Sequence, residues 1–185
     1  MELTIERTGR AETLMISGAT QQDILAGNFR NFRGEKRKAP NGKIVNDEGK
    51  RNFNLALNLP VEALDELAAT GLNIKELKPK DDEYGDEPLR FVKVNVAFGG
   101  TYPPNIYLVS GKRLKELSES ELALLDAARF TNVDLIIRTY HKDADSTTLY
   151  LQKGYFTIEQ DPISAKYANM DVTGEYEDEV PFDED

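Results

Sequence analysis

The alternation of side chains between Leu89 and Phe98 constrains the fold more than any other stretch of the sequence. One face begins at Arg90 and continues with Val92, Val94, Val96 and Phe98, while the other carries Phe91, Lys93, Asn95 and Ala97. Successive side chains of a strand point to opposite faces, so this pattern predicts a strand with one face on a core. A ring, a cation and an amide on the other face suit base stacking. An ordinary solvent-facing strand would show the same pattern.

Similar patterns recur along the chain and predict eight further strands. The others lie at 2–8, 12–17, 23–32, 51–59, 72–77, 105–109, 133–140 and 147–159. Two short helices are predicted, at 61–70 after Pro60 and at 118–129, where Ser118 and Glu121 have capping-box spacing. A final helical turn is expected at 161–168. We therefore expect a mainly β protein, an OB-like β-barrel with two short helices and long loops.

The segment from Phe29 to Phe53 concentrates positive charge. It holds eight cations against three acids, a local charge of +5, and its centre is rich in Gly, Pro and Asn. That composition predicts a long hairpin between two strands. Cations that neutralise phosphates, placed among rings that stack on bases, indicate binding of single-stranded nucleic acid. The candidate residues are Phe29, Arg30, Phe32, Arg33, Lys36, Arg37, Lys38, Lys43, Lys50 and Arg51.

Two alternatives bear on the rings of this segment. Phe53 shares a strand face with Leu55 and Leu57, so it is expected in the core and not at a ligand. The whole segment also fits a solvated loop whose Phe side chains anchor it to the core.

Further binding candidates lie on predicted strands outside the hairpin. Phe91 and Lys93 share the polar face of the strand described first. Arg138 and Tyr140 share one face of the strand at 133–140, and Lys153 and Tyr155 share one face of the strand at 147–159.

The acids of the chain are concentrated at its C-terminal end. The formal net charge is -10, but eight of the 33 acids follow Lys166, leaving 25 acids against 23 cations before it, a charge of -2. A stretch as charged as 171–185 is expected to be disordered. We therefore predict a body at 1–168 and an acidic tail at 169–185. Its Val180-Pro181-Phe182 is an apolar hook for a partner protein, and its acids can compete with DNA for the basic hairpin. A solubilising tail without a partner is the alternative.

Several classes of chemistry have no signal in the sequence. There is no cysteine, and the single histidine, His141, is expected in a solvated loop. No phosphate-binding loop or dinucleotide turn is present, so we expect no enzyme and no cofactor. The acidic loop with Asp81, Asp82, Glu83, Asp86 and Glu87 lacks the order of a calcium loop, so no metal site is predicted. No signal peptide or membrane span is recognised, which favours the cytoplasm.

Five segments carry a family resemblance when they are taken together: ILAGNFRNF, KRNFNLALN, LRFVKVNV, NVDLIIRTYH and LYLQKGYFTIEQDPISAKYA. In this order they resemble the small single-stranded DNA-binding proteins of tailed bacteriophages, over most of residues 23–168. The resemblance implies an OB-fold barrel with an acidic tail. It also implies a protein that coats single strands during phage replication, recombination or repair, in the bacterial host, while the tail contacts replication or recombination proteins.

The resemblance also implies positions for the binding residues. Phe29, Arg30, Phe32 and Arg33 match the start of the hairpin, and Lys93, Arg138 and Tyr155 match strand positions that face the groove. In bacterial single-strand binders a comparable Pro-Phe ends the chain, whereas here three acids follow Phe182.

Two other functions stay open at this point. The charge of -10 also fits a protein-interaction adaptor or DNA mimic that works through the acidic tail. RNA is a second alternative ligand, because nothing in the sequence distinguishes ribose from deoxyribose. Oligomeric state, including a homo-oligomer, is equally open.

Overall fold

The computed structural model describes residues 1–78, 87–143 and 145–159. Within these ranges the strands are β1 (Glu2–Thr8), β2 (Ala11–Ala19), β3 (Arg30–Asn31), β4 (Arg37–Lys38), β5 (Ile44–Asn46), β6 (Arg51–Ala56), β7 (Lys75–Leu77), β8 (Leu89–Val96), β9 (Asn105–Ser110), β10 (Arg113–Glu116), β11 (Phe130–Asp143) and β12 (Ser146–Ile158). The helix α1 spans Val61–Ala68, and 3-10 helices span Gly27–Phe29 and Glu119–Leu125. The predicted mainly β class is confirmed. The last predicted helical turn and the tail lie outside the described residues, so the domain boundary after residue 168 stays a prediction.

Ten of the strands form one sheet. Its main order is β1-β2-β11-β12-β8-β6-β3, with β9 beside β12, β10 beside β9 and β7 beside β8, while β4 and β5 form a separate pair. Both β8 and β9 run parallel to β12. Strand β8 pairs with β12 as far as Tyr150, and β9 pairs with it from Lys153 onward. The two strands therefore follow the same side of β12, and residues 97–104 leave the sheet between them.

The sheet curls around a single core but its ladder does not close in the described residues. Leu14 of β2 and Leu55 of β6, far apart in the strand order, line the same small internal cavity. The segment that follows β2 spans the gap between β11 and β6. In it Gln21 N–H donates to Phe130 O of β11, and Leu25 N–H donates to Asn54 O of β6. This segment is irregular apart from one bridge at Ile24, so the strand predicted at 23–32 is reduced to β3.

Four phenylalanines form the centre of the core at one end of the sheet. Phe32 and Phe53 stack with ring centroids 5.2 Å apart, and Phe156 packs edge-on against both rings. Phe130 closes the group with its centroid 5.3 Å from that of Phe156. Phe32, Phe53 and Phe156 are fully buried. The core position predicted for Phe53 is confirmed, and the surface position predicted for Phe32 is wrong because its ring is sealed by Phe53.

Local capping is as predicted at the second helical segment, although its length is not. Ser118 and Glu121 form the capping box, but the segment is a 3-10 helix that ends at Leu125, not an α-helix to residue 129. Hydrogen bonds from Lys115 and Ser118 lower the pKa of Glu121 to about 2. Leu122 and Leu125 are buried. The strand β10 has no counterpart among the predicted strands.

Arg30 is a buried cation at the base of the hairpin. Its side chain is 1% exposed, and its guanidinium donates to the carbonyl oxygens of Ile24, Leu25, Leu125 and Ala128 over 2.8–3.3 Å. The guanidinium carbon lies 4.6 Å from the centroid of the Phe130 ring. Burial lowers the pKa of Arg30, and the carboxylate of Asp126 opposes that shift. The prediction that Arg30 contacts a ligand is therefore wrong, since its side chain is enclosed and four of its five N–H donors bond to backbone carbonyl groups.

Replacing Arg30 by Met should strongly destabilise the protein. The substitution leaves buried carbonyl groups without donors, and each such group costs about 1–3 kcal/mol. Urea unfolding would measure the loss. The control is Lys38→Met on exposed β4, which should change the free energy of unfolding by about 0.5 kcal/mol or less. Equal stability of Arg30→Met and the wild type would contradict this role.

Candidate nucleic-acid interface

The basic segment folds as a hairpin within a hairpin. Its arms are β3 and β6, which pair at Arg30 and Phe53, and its far end is the β4–β5 pair with a turn at residues 39–43. The predicted long hairpin is thus present. Near the base of the far end, Gly34 lies so close to Gly49 that an added Cβ would be 3.2 Å from the Gly49 backbone. Gly34 also has φ +73°, which favours glycine.

Asparagine side chains fix the β4–β5 pair to the main sheet. Asn31 Nδ2 and Asn46 Nδ2 both donate to Glu35 O, at 2.8 and 2.7 Å. Asn52 Nδ2 of β6 donates to Asn46 Oδ1 at 2.9 Å. The far end of the hairpin is therefore held in a defined place beside β6.

The remaining arginines of the hairpin are tied to the body of the protein. Arg33 Nε pairs with Asp126 Oδ2 at 3.1 Å, and Arg51 Nη1 pairs with Glu119 Oε1 at 2.7 Å. Arg37 donates from Nη1 to Asn28 O and from Nη2 to Arg30 O, both at 2.7 Å. A planar guanidinium suits such fixed multiple bonds better than an ammonium group does. Arg33, Arg37 and Arg51 therefore position the hairpin, with part of each guanidinium already in use.

The lysines of the hairpin are placed differently from the arginines. Lys36, Lys38, Lys43 and Lys50 are exposed, and none of their ammonium groups has a hydrogen-bond or ion-pair partner among the described residues. We call these four side chains the lysine tip. They lie on or around the small β4–β5 pair, so they present a local concentration of positive charge to a polyanion.

Two candidate rings outside the core are covered by the chain. Phe29, at the end of a 3-10 helix, packs edge-on against Phe91 with ring centroids 5.5 Å apart. Asn54 Nδ2 holds this helix in place by donating to Phe29 O at 2.9 Å. Phe91 is consequently only 7% exposed and Phe29 is half-buried. The exposure predicted for Phe91 is wrong, because residues 27–29 cover that end of the strand.

A row of polar and aromatic side chains crosses the middle of the sheet, exposed at Arg138 and Tyr150 and buried at Asn52. Arg138 of β11 pairs with Tyr150 of β12, which pairs with Asn95 of β8, which pairs with Asn52 of β6. Arg138 is exposed and Tyr150 is 39% exposed. Since Asn52 bonds to Asn46 of the β4–β5 pair, the row leads from the sheet to the base of the lysine tip.

More rings and cations lie along the same side of β11 and β12. Tyr140 is 59% exposed, and Tyr155 stacks on Tyr107 of β9 with centroids 4.9 Å apart and planes at 13°. Lys153 lies between Tyr150 and Tyr155 on β12 and is partly exposed. We call the exposed side chains on this side the sheet face; its members are Lys93, Asn95, Tyr107, Arg138, Tyr140, Tyr150, Lys153 and Tyr155.

The structure thus brings together most of the candidates predicted on strands. The shared faces predicted for Arg138 with Tyr140 and for Lys153 with Tyr155 agree with the observed exposure, and Lys93 is exposed on β8. Tyr107 and Tyr150 were not predicted. Tyr150 alternates with buried Leu149 and Leu151, so the period of two already marked it as outward-facing.

His141 lies in β11 and not in a solvated loop. Its Nε2 is 2.5 Å from Glu12 Oε2, and its Nδ1 is 2.8 Å from Thr147 Oγ1. The Thr147 hydroxyl donates to Thr70 O, so its oxygen accepts from His141 Nδ1. The cluster links β2, β11 and β12 to the end of α1.

The described residues contain neither a candidate metal cluster nor a membrane-spanning helix. Among them, no group of three or more His, Cys, Asp or Glu side chains could hold a metal ion. None of their helices is long and apolar enough to cross a bilayer. Asp81, Asp82, Glu83 and Asp86 lie outside the described residues, as does the hook Val180-Pro181-Phe182.

Comparison with known proteins identifies the family. A family model with the description "Putative phage ssDNA-binding domain" matches residues 8–182. The chain therefore belongs to the phage ssDNA-binding domain family. No curated protein matches it. Among solved structures it is similar to a C-terminal truncation of the single-stranded DNA-binding protein from bacteriophage Enc34. That match has 14% identity, a TM-score of 0.41, and covers 87% of this chain and 96% of that chain.

Glu12 gives the protein a testable pH dependence. Burial acts to raise the pKa of Glu12, but hydrogen bonds from Thr139 and His141 outweigh it and bring that pKa below its ordinary value of 4.5. The charged form therefore stabilises the fold above pH 4.5, and this contribution is lost as the pH falls through the lowered pKa. Glu12→Gln should reduce stability at pH 7 and flatten the loss of stability below pH 4.5.

Urea midpoints measured between neutral pH and about pH 3 would test this expectation. Glu6→Gln is the matched control, because Glu6 is an exposed carboxylate on the neighbouring strand β1. Superimposable pH profiles for Glu12→Gln and the wild type would exclude the proposed contribution.

Proposed function

We propose that this protein binds single-stranded DNA without sequence preference during phage DNA replication, recombination or repair, in the cytoplasm of the bacterial host. The observation that carries the proposal is that Asn52 links the sheet to the hairpin that bears the lysine tip. The row from Arg138 through Tyr150 and Asn95 ends at Asn52, whose side chain bonds to the hairpin that bears the lysine tip. A strand lying on the sheet face would therefore meet the lysine tip at its edge.

The distribution of charge supports this proposal despite the overall charge of -10. The lysine tip contributes four ammonium groups without carboxylate partners among the described residues, and the sheet face adds Lys93, Arg138 and Lys153. Phosphate contacts of this kind give affinity that does not depend on base identity. The proposed site differs from the sequence expectation because Arg30, Phe32 and Phe91 are buried.

The rings of the sheet face supply the second element of a sequence-tolerant site. Tyr140 and Tyr150 are exposed enough to receive a base, and the stacked pair Tyr107–Tyr155 lies on the same side of β12. Stacking of a base on an aromatic side chain contributes about 1–3 kcal/mol and tolerates any base. Such a combination of rings and cations supports a binding role and not catalysis.

Neutralising the lysine tip should weaken binding of single-stranded DNA and reduce its dependence on salt. Replacing Lys36, Lys38, Lys43 and Lys50 by Ala removes up to four phosphate contacts. The slope of log affinity against log salt should therefore become less steep by about 3, since each contact on a single strand contributes about 0.7. Fluorescence anisotropy with a labelled oligo-dT at several salt concentrations measures both quantities.

The control variant removes the same charge from outside the lysine tip and the sheet face, by replacing Arg7, Arg10, Lys112 and Arg129 with Ala. It should keep the salt slope of the wild type within about one contact, or 0.7. Equal slopes for the two variants would show that only net charge matters and would contradict a local role of the lysine tip.

We further propose that the acidic tail at 169–185 competes with DNA for the basic surfaces and contacts replication or recombination proteins. Its support is compositional, because eight acids surround the hook Val180-Pro181-Phe182. Deleting residues 171–185 should tighten DNA binding at low salt, and the gain should shrink as salt screens the competing charges. Replacing the hook alone with Ala should leave DNA affinity unchanged. Weaker or unchanged DNA binding after the deletion would contradict competition.

A further inference from the structure

A polar pocket opens where two strands diverge from one side of β8. Strand β7 pairs with β8 through residues 89–91, and β12 pairs with it at Val94 and Asn95. Strand β6 occupies the other side of β8 along its length, so β7 and β12 share the remaining side. Between them they leave a gap opposite Lys93, closed at its far end by the bridge between Leu72 and Thr147.

The gap forms a pocket of about 190 Å³. The described polar residues that line it are Asn73, Lys75, Lys93, Asn95, Thr147 and Thr148, so none of the described lining residues is a carboxylate. A water molecule occupies about 30 Å³ in the liquid, so this volume admits a phosphate group together with water.

The hydrogen bonds already made by the lining show which donors remain. Asn95 Nδ2 donates to Leu149 O at 3.2 Å, and the Thr147 hydroxyl donates to Thr70 O at 2.7 Å. The Lys75 and Lys93 ammonium groups have no carboxylate partner among the described residues, nor does the Thr148 hydroxyl have a partner there. Partial burial lowers the pKa of Lys93, and the charge of Lys75 lowers it further. Two cations that repel one another across a pocket are stabilised by an anion between them.

We infer that this pocket binds a phosphate group of the nucleic acid, held by Lys75, Lys93 and the Thr148 hydroxyl. The inference rests on the proposed function, because it makes the pocket one fixed point of a strand on the sheet face. Asn95, which lines the pocket, pairs with Tyr150 of the sheet face. A phosphate in the pocket therefore places the adjoining base within reach of that exposed ring, whereas the lysine tip lies on a separate β-pair.

The test compares Lys75→Gln/Lys93→Gln with a control of equal charge, Arg10→Gln/Lys112→Gln, in the full-length chain. Binding of oligo-dT should have a salt slope less steep by about 0.7 in the pocket variant, the contribution of one phosphate, and an unchanged slope in the control. Oligonucleotides with a 5′-phosphate or a 5′-hydroxyl identify the source of the group. Equal losses for both indicate an internal phosphodiester, and a loss confined to the first indicates a terminal phosphate.

A second measurement needs no DNA. Inorganic phosphate added to the free protein should raise the pKa of Lys93 and leave the pKa of Lys112 unchanged. NMR of the lysine side chains measures both values. An unchanged salt slope in the pocket variant, together with no response of Lys93 to phosphate, would overturn the inference.

A tryptophan reporter separates failure of the pocket from failure of the proposed function. The chain contains no tryptophan, so Tyr150→Trp places a single indole beside the pocket. Quenching by oligo-dT should persist in the pocket variant, because the strand still lies on the sheet face. Absence of quenching and of any binding when both pocket lysines are intact would overturn the proposed function, and the phosphate titration would then decide the pocket independently.

Discussion

The buried guanidinium of Arg30 is the interaction on which the arrangement of this protein depends. It joins backbone carbonyls from the segment after β2 to carbonyls at the end of the second 3-10 helix. Those two stretches lie about 100 residues apart in the chain. A cation taken out of water needs hydrogen-bond acceptors, and the four hydrogen bonds of Arg30 fix both segments at once. The curled sheet, the hairpin base and the phenylalanine cluster all meet at this residue.

The arginines and the lysines of the basic segment from Phe29 to Phe53 have different roles. The arginines reach inward or back to the body, where a rigid fork of donors can satisfy several acceptors in fixed directions. The lysines stay outside, where a compact charge on a flexible stem can follow a mobile backbone of phosphates. The same local charge of +5 therefore serves two purposes, and only half of its cations are free for a ligand. Counting charges in the sequence overestimates the binding surface for this reason.

Period-two patterns predicted the long strands well, because the burial of Val92, Val94 and Val96 is a property of the strand itself. They failed where another segment covers the outer side of a strand. Phe91 reads as exposed, yet a three-residue helix distant in sequence lies over it. In the sequence Arg30 looks like a surface cation. Two of its carbonyl acceptors, at Leu125 and Ala128, are distant in sequence and lie beside it only in the folded protein. The strand positions of the site were predictable, whereas the division of the hairpin cations and the phosphate pocket depend on long-range contacts.

The way β8 and β9 share one side of β12 has a consequence for how the protein can vary. Residues 97–104 connect two strands whose registers are each set by β12, so the connection bears no part of the ladder. Tyr102 within it is 82% exposed. Such a connection can be lengthened, shortened or exchanged as a cassette while the flanking hydrogen bonds stay in place. New recognition elements could therefore be inserted there, beside the middle of β12, without changing the sheet.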